Sequence, residues 1–121
     1  MSAPGIFALV AETSSADAEN SHLILHEIVG FIVAQSNRKG IGHIITIDVL
    51  REGRRSGIGS ALLAAAEQRL RSAHCDRVRL ETAVDNRAAL DFYKHYGYAI
   101  TKTIPGYYAT GADAFVLVKA L

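Results

Sequence analysis

Between Arg51 and Ser60 the chain reads Arg-Glu-Gly-Arg-Arg-Ser-Gly-Ile-Gly-Ser, which places three arginines and three glycines within nine residues. An Ile/Val-rich run precedes this stretch and an Ala/Leu-rich run follows it. It therefore reads as a turn from a strand into a helix. Glycines permit a tight turn and let a ligand approach the backbone amides closely. A helix opening there aims unpaired N–H groups and the positive end of its dipole at whatever lies in front. Those are the properties of an anion site, and phosphate or pyrophosphate is its usual occupant. The turn does not fit two common phosphate patterns. A P-loop needs G-x-x-x-x-G-K-[ST], and a dinucleotide fingerprint needs a third glycine where this chain has Gly57-Ile-Gly-Ser-Ala-Leu62. It does match R-x-x-G-x-G over Arg54–Gly59. The plain structural alternative is a Gly-rich turn with solvated arginines.

The elements that must position this turn follow from periodicity. Ile6–Glu12 is a short apolar strand, and Thr13–Ser21 a polar turn of small residues. Leu23–Gln35 is β-branched and too long for one flat strand, so Gly30 suggests a bulge or bend. These two runs form a hairpin. After a turn at Ser36–Gly40, Ile41–Val49 is a third strand, antiparallel to the second on loop length. A helix follows from Ile58 to Ser72. Ile58, Leu62, Ala66 and Leu70 recur every four residues with Leu63 flanking, while Glu67, Arg69 and Arg71 supply polar faces. Asp76–Val84 alternates, with Val78, Leu80 and Thr82 on one face and Arg77, Arg79 and Glu81 on the other. It is joined to the third strand through a helix, so the two should be parallel. Asp85 or Asn86 caps a second helix on which Ala89, Phe92, Tyr93 and Tyr96 share a face, and Gly97 stops it. Tyr98–Ile104 is a strand, Pro105–Gly111 a turn and Ala112–Lys119 a last strand. The order β-β-β-α-β-α-β-β predicts an α/β fold, a mixed sheet with helices packed on it.

Composition narrows the field. The 121 residues make one domain with a sizeable core, 50% hydrophobic and 21% charged. A net charge of +1 offers no basic field for nucleic acid. No apolar run approaches the roughly 18 residues of a membrane span. Without a signal peptide the default compartment is the cytoplasm. Cys75 is alone, so no internal disulfide forms, and it reads as a small packing residue. The histidines at 22, 26, 43, 74 and 95 show no metal-ligand spacing, so no metal is expected.

The second helix sharpens the anion reading. Asn86 to Tyr98 reads N-x-x-A-x-x-x-Y-x-x-x-G-Y. Together with R-x-x-G-x-G this resembles the GNAT superfamily of acyl-CoA-dependent N-acetyltransferases, over nearly the whole chain. The resemblance implies acetyl-CoA as co-substrate, with its pyrophosphate on the turn and its pantetheine arm paired to the backbone of a splayed preceding strand. By position those roles fall on Arg54, Arg55, Ser56, Gly57, Ile58, Gly59 and Ser60 for the pyrophosphate, and on Ile47, Asp48 and Val49 for the arm. Asn86 matches the family's cofactor-contacting asparagine. Within the superfamily, Leu80-Glu81-Thr-Ala-Val-Asp-Asn86 and Tyr107-Tyr108-x-x-Gly-x-Asp113-Ala114 resemble segments of RimI-type protein N-terminal acetyltransferases. Two positions depart from that pattern: Ala83 stands where those enzymes have arginine, and Asp85 where they have serine.

Direct attack of an amine on a thioester in a ternary complex requires a base, because the amine must lose a proton. The RimI resemblance assigns that role to Glu81. A carboxylate titrates near 4.3 in free solution, so a carboxylate base has to be buried to hold a proton. The structural alternative is a surface glutamate paired with Arg77 or Arg79. The departing thiolate needs a proton, and Tyr93 fits as the acid, two turns after Asn86 on the same side of the helix. Tyr107 and Tyr108 would line the acceptor pocket or simply cover the sheet end. The leading function is acetylation of a primary amine, preferably a protein N-terminal α-amine. A small-molecule amine, a non-catalytic acyl-CoA-binding module and an unrelated nucleotide-binding turn are the alternatives. Members of the superfamily usually carry a strand and two helices ahead of the strand matching Ile6–Glu12, whereas this chain has five residues there. The fold is therefore read as N-terminally shortened, either naturally, by truncation, or with a second subunit supplying the acceptor wall. The exposed edge and apolar strip left behind would favour a homodimer.

Overall fold

The computed structural model describes residues 5–16, 24–50 and 57–121. Its elements are β1 (Gly5–Ala16), β2 (Ile24–Ser36), β3 (Ile41–Val49), α1 (Ile58–Ser72), β4 (Arg77–Ala83), α2 (Arg87–His95), β5 (Ala99–Ile104) and β6 (Ala114–Ala120). This is the order anticipated from periodicity. The strands form one mixed sheet in the order β1-β2-β3-β4-β6-β5. β1/β2 and β2/β3 are antiparallel, β3/β4 is parallel, and β6 inserts antiparallel between β4 and β5.

β1 runs further than its apolar residues indicate. Thr13–Ala16 continue the ladder opposite Ile24–Glu27, because backbone pairing needs no apolar side chain. The bend expected near Gly30 is a register shift: Ala11 faces Gly30 and Glu12 faces Ile28, so Val29 is the extra residue. Gly30 leaves little room for a side chain there, since a Cβ would stand 3.0 Å from the Asp48 carbonyl oxygen and 3.2 Å from Leu62 Cδ1.

One face of the sheet is covered by the helices. Leu62, Leu63, Ala66 and Leu70 of α1 are buried against Ile32, Ala34, Ile44, Val78, Leu80 and Leu117. Each such leucine contributes roughly 1.5–3 kcal/mol. Gly42 lets α1 approach closely, as a Cβ there would lie 2.7 Å from Leu70 Cδ1. Glu67 differs from the sequence expectation, being buried rather than on a polar face. Its two oxygens accept from the Tyr98 hydroxyl at 2.7 Å and from Lys119 Nζ at 2.8 Å. Helical periodicity cannot reveal partners that arrive from remote parts of the chain. On the opposite face of the sheet Ile6, Val10, Ile28 and Phe31 are exposed.

β4 alternates as read, with Val78, Leu80 and Thr82 buried and Arg77 and Arg79 exposed. Asn86, rather than Asp85, caps α2: its Oδ1 accepts the Ala89 N–H at 3.2 Å. After α2, Gly97 adopts φ +95°, a conformation glycine reaches without steric cost.

Candidate active site

The parallel join between β3 and β4 is short. Ile41, Gly42 and His43 pair with Arg77, Val78 and Arg79, and beyond them the strands part. β3 continues to Val49 against β2, and β4 continues to Ala83 against β6. The gap opens into a cleft of about 710 Å³. Ile47, Asp48 and Val49 form its β3 wall, Gly57, Gly59 and Ser60 lie at the N-terminus of α1, and Thr82, Asn86 and Tyr93 stand on the β4–α2 side.

The start of α1 suits an anion. Gly57 sits at φ 84° as N-cap, no side chain of the described residues caps the helix, and its first turn carries no acidic residue. A helix start is commonly satisfied by a Ser, Thr, Asp or Asn oxygen. Among the described residues no such oxygen is supplied, and the start of α1, with the positive end of its dipole, borders the cleft. Ser60 Oγ is hydrogen-bonded to the Tyr96 hydroxyl, tying this turn to the end of α2. Gly59 faces the Phe92 ring, which a Cβ would approach to 3.5 Å. Of the residues assigned to the anion, Ile58 does not line the cleft but packs on the core. Arg54, Arg55 and Ser56 lie outside the described residues.

Tyr93 is 8% exposed and borders the cleft. Its ring meets Phe92 edge-on at 5.3 Å and Tyr98 at 5.7 Å. Burial first, and the neighbouring Tyr108 second, push its hydroxyl up to about 12. It therefore stays protonated across any ordinary working range. Asn86 borders the cleft as well, with its Oδ1 engaged in the α2 cap.

Glu81 alternates to the opposite face of β4, so it reaches the gap from the other side of the sheet. Its side chain is 11% exposed. Oε1 accepts from the Tyr107 hydroxyl at 3.2 Å and lies 2.8 Å from His43 Nε2. Oε2 is 3.4 Å from Arg79 Nε, within ion-pair range. It is out of line for a hydrogen bond, so this buried oxygen has no hydrogen-bond partner among the described residues. The rings of Tyr107 and Tyr108 meet at 4.9 Å, nearly perpendicular. Burial, then Tyr107, then Glu81 raise the Tyr108 hydroxyl. Tyr108 thus lies near enough to add to the rise of the Tyr93 hydroxyl, and Glu81 near enough to add to that of Tyr108.

Two contributors were not singled out from the sequence. His43 was weighed only as a metal ligand. Its signal is the parallel register, which sets His43 beside Arg79 and next to Glu81. Asp113 Oδ1 accepts the Gly106 N–H at 2.9 Å and shapes the turn that carries Tyr107 and Tyr108. No group of three or more His, Cys, Asp or Glu side chains suited to a metal occurs among the described residues.

Fold and cleft together define a mixed α/β protein built around a split sheet, with a helix N-terminus at one end of the split. The chain belongs to the Acetyltransferase (GNAT) family, whose profile matches residues 6–98. An N-alpha-acetyltransferase of Sulfurisphaera tokodaii is 36% identical over 107 residues, covering 78% of this chain and 64% of the relative. Among solved structures, Ard1 from Thermoplasma volcanium aligns with a TM-score of 0.75 at 32% identity, over 84% of this chain and 71% of that one. A chain of the NatC complex bound to Gag peptide and CoA aligns with a TM-score of 0.71 at 34% identity, over 78% and 62%. The chain spans 59–66% of the length of the first four curated relatives it matches.

Proposed function

We propose that this protein transfers an acetyl group from acetyl-CoA to a primary amine, preferably a protein N-terminal α-amine, by direct attack. The observation that carries this reading is the split between β3 and β4, with the glycine-led start of α1 and Tyr93 on one side and the Glu81 carboxylate on the other. The cleft volume falls in the range of small-molecule and cofactor sites, about 300–1,000 Å³. In this reading Gly57, Gly59 and Ser60 hold the pyrophosphate, together with Arg54, Arg55 and Ser56 from the same turn and the backbone N–H of Ile58, whose side chain packs on the core. Past His43 the pairing of β3 with β4 ends, and in this reading the pantetheine arm runs along the backbone of Ile47 and Asp48 with Val49 beside it. Asn86 borders the same arm. Acetyl-CoA supplies the activated acyl group.

The protein's own contributions follow from position and proton affinity. Glu81 accepts the ammonium proton of the acceptor, while His43 and Tyr107 hold the carboxylate through Oε1. Tyr93 donates a hydrogen bond to the departing sulfur. Complete transfer of its proton to a thiol, whose ordinary value is near 8.5, runs uphill from about 12. Stabilisation by a buried donor is therefore its main contribution, as for other developing anions. Tyr107 and Tyr108 border the acceptor. The exposed apolar side chains of β1 and β2 lie on the acceptor's side of the sheet, which favours a partner there, a second copy included. A cytoplasmic location fits this reading, and no helix of the described residues is long and apolar enough to cross a membrane.

Turnover decides the matter. Protein, acetyl-CoA and a panel of acceptors are mixed and free thiol is followed. Short peptides with free N-termini should release thiol, and the same peptides with blocked N-termini should not. Preferential release with small amines would move the acceptor class. Silence with every acceptor would overturn the reading.

A further inference from the structure

Glu67 is the one charged side chain of the described core, 5% exposed on an otherwise apolar stripe of α1. Burying a carboxylate costs several kcal/mol even after relaxation, and a buried ion pair often stabilises no more than a well-packed apolar replacement. Its use is better sought in geometry, and its partners are informative. Oε2 accepts from the Tyr98 hydroxyl at 2.7 Å, and Oε1 pairs with Lys119 Nζ at 2.8 Å. Tyr98 in turn holds Tyr93 twice: its backbone N–H donates to the Tyr93 carbonyl at 3.0 Å, and the two rings meet at 5.7 Å. A second tie, from Ser60 of α1 to Tyr96 at the end of α2, lies at the anion end of α1. Seven residues separate Ser60 from Glu67, so the two ties are about 10 Å apart along the helix.

We propose that Glu67, Tyr98 and Lys119 form a positioning clamp that fixes Tyr93 relative to the anion-binding end of α1. Building on the acetyl-transfer reading, the clamp sets the distance from the pyrophosphate cradle to the reacting sulfur. None of its three side chains borders the cleft, so they act only through Tyr93.

The test is a double-mutant cycle. Tyr98→Phe keeps the ring and removes the hydroxyl. It should lower kcat about tenfold or more, as sub-ångström misplacement of a reacting group does, with coenzyme A affinity by calorimetry changed by less than about twofold. In a Tyr93→Phe background the same change should cost nothing further, because there is no hydroxyl left to position. Lys119→Arg should retain most of the activity that Lys119→Met loses. A readout independent of turnover is the Tyr93 ring signal in 13C-tyrosine NMR, assigned by its loss in Tyr93→Phe and shifted in Tyr98→Phe. Additive losses in the cycle, or an unmoved ring signal with unchanged kcat, would overturn the clamp. If the native protein releases no thiol with any acceptor, the acetyl-transfer reading fails alone, and the ring signal still decides the clamp. Should Tyr98→Phe not fold, Lys119→Met carries the same comparison.

Discussion

Replacing Tyr93 by phenylalanine removes one oxygen from a ring that is 8% exposed and held edge-on by Phe92 and Tyr98. The ring contacts survive, so the fold should too. What disappears is, in the proposed reaction, the donor to the sulfur on which negative charge develops. A hydrogen bond to a charged group is worth about 1.5–3 kcal/mol, and each 1.36 kcal/mol is a factor of ten in rate. The expected loss in kcat is therefore about 10- to 150-fold. Since the anion end of α1 is untouched, the KM for acetyl-CoA should stay within about twofold. The hydroxyl is pushed up to about 12, so it keeps its proton throughout the assay range. The ratio of native to variant rates should then be flat from about pH 6 to pH 9. Steady-state thiol release at saturating peptide measures all three quantities. Equal kcat values would remove Tyr93 from the mechanism. A ratio that collapses near neutral pH would mean that the proton is being lost, contrary to the burial argument.

Glu81→Gln should lower kcat by about 100-fold or more at neutral pH, the ordinary contribution of a positioned base, with little change in coenzyme A affinity by calorimetry. Unchanged turnover would leave Glu81 as a partner of His43 and Tyr107 only. Asn86→Ala removes the α2 cap and should cost about 1 kcal/mol, read as a melting point lowered by roughly 4 °C. Gly42→Ala drives a Cβ to 2.7 Å from Leu70 Cδ1 and should cost about 1–3 kcal/mol in urea titrations, whereas a neutral result would mean that α1 shifts freely. For alkaline stability the sign follows from the tyrosines. Tyr93 and Tyr98 both titrate higher folded than unfolded, chiefly through burial. Their contribution is complete below about pH 10 and is lost as pH rises through the folded values, about 2–3 kcal/mol for Tyr93. Thermal melts from pH 8 to 11.5 should show that decline, and Tyr93→Phe should flatten it.

Local chemistry made most of the fold legible. Alternation in Arg77–Ala83, four-residue spacing in α1 and the Asn86 to Gly97 punctuation of α2 each rest on neighbours in the chain, and each appears in the structure. Partners from distant elements were invisible. Glu67 looked solvated because Tyr98 and Lys119 lie 31 and 52 residues away. His43 looked idle because its partner Glu81 is 38 residues on. The placement of β6 between β4 and β5 likewise depends on tertiary pairing. The site was legible in outline through its motifs, and those motifs gather Ile47–Val49, Gly57, Gly59, Ser60, Asn86 and Tyr93 around one cleft. That Glu81 and Tyr93 approach the gap from opposite faces could be read only once strand parity was combined with the split.

The short seam at Ile41–His43 and Arg77–Arg79 has a mechanical meaning. It divides the sheet into two half-sheets, β1-β2-β3 and β4-β6-β5, sewn together by three residue pairs and the helix that bridges them. A ligand lying in the gap replaces the missing stitches, so occupancy and stiffness rise together. A ligand at a hundred times its dissociation constant adds about 2.7 kcal/mol to folding stability, and here that gain should concentrate at the seam. Amide exchange there reads the filling of the cleft directly, with no need of turnover.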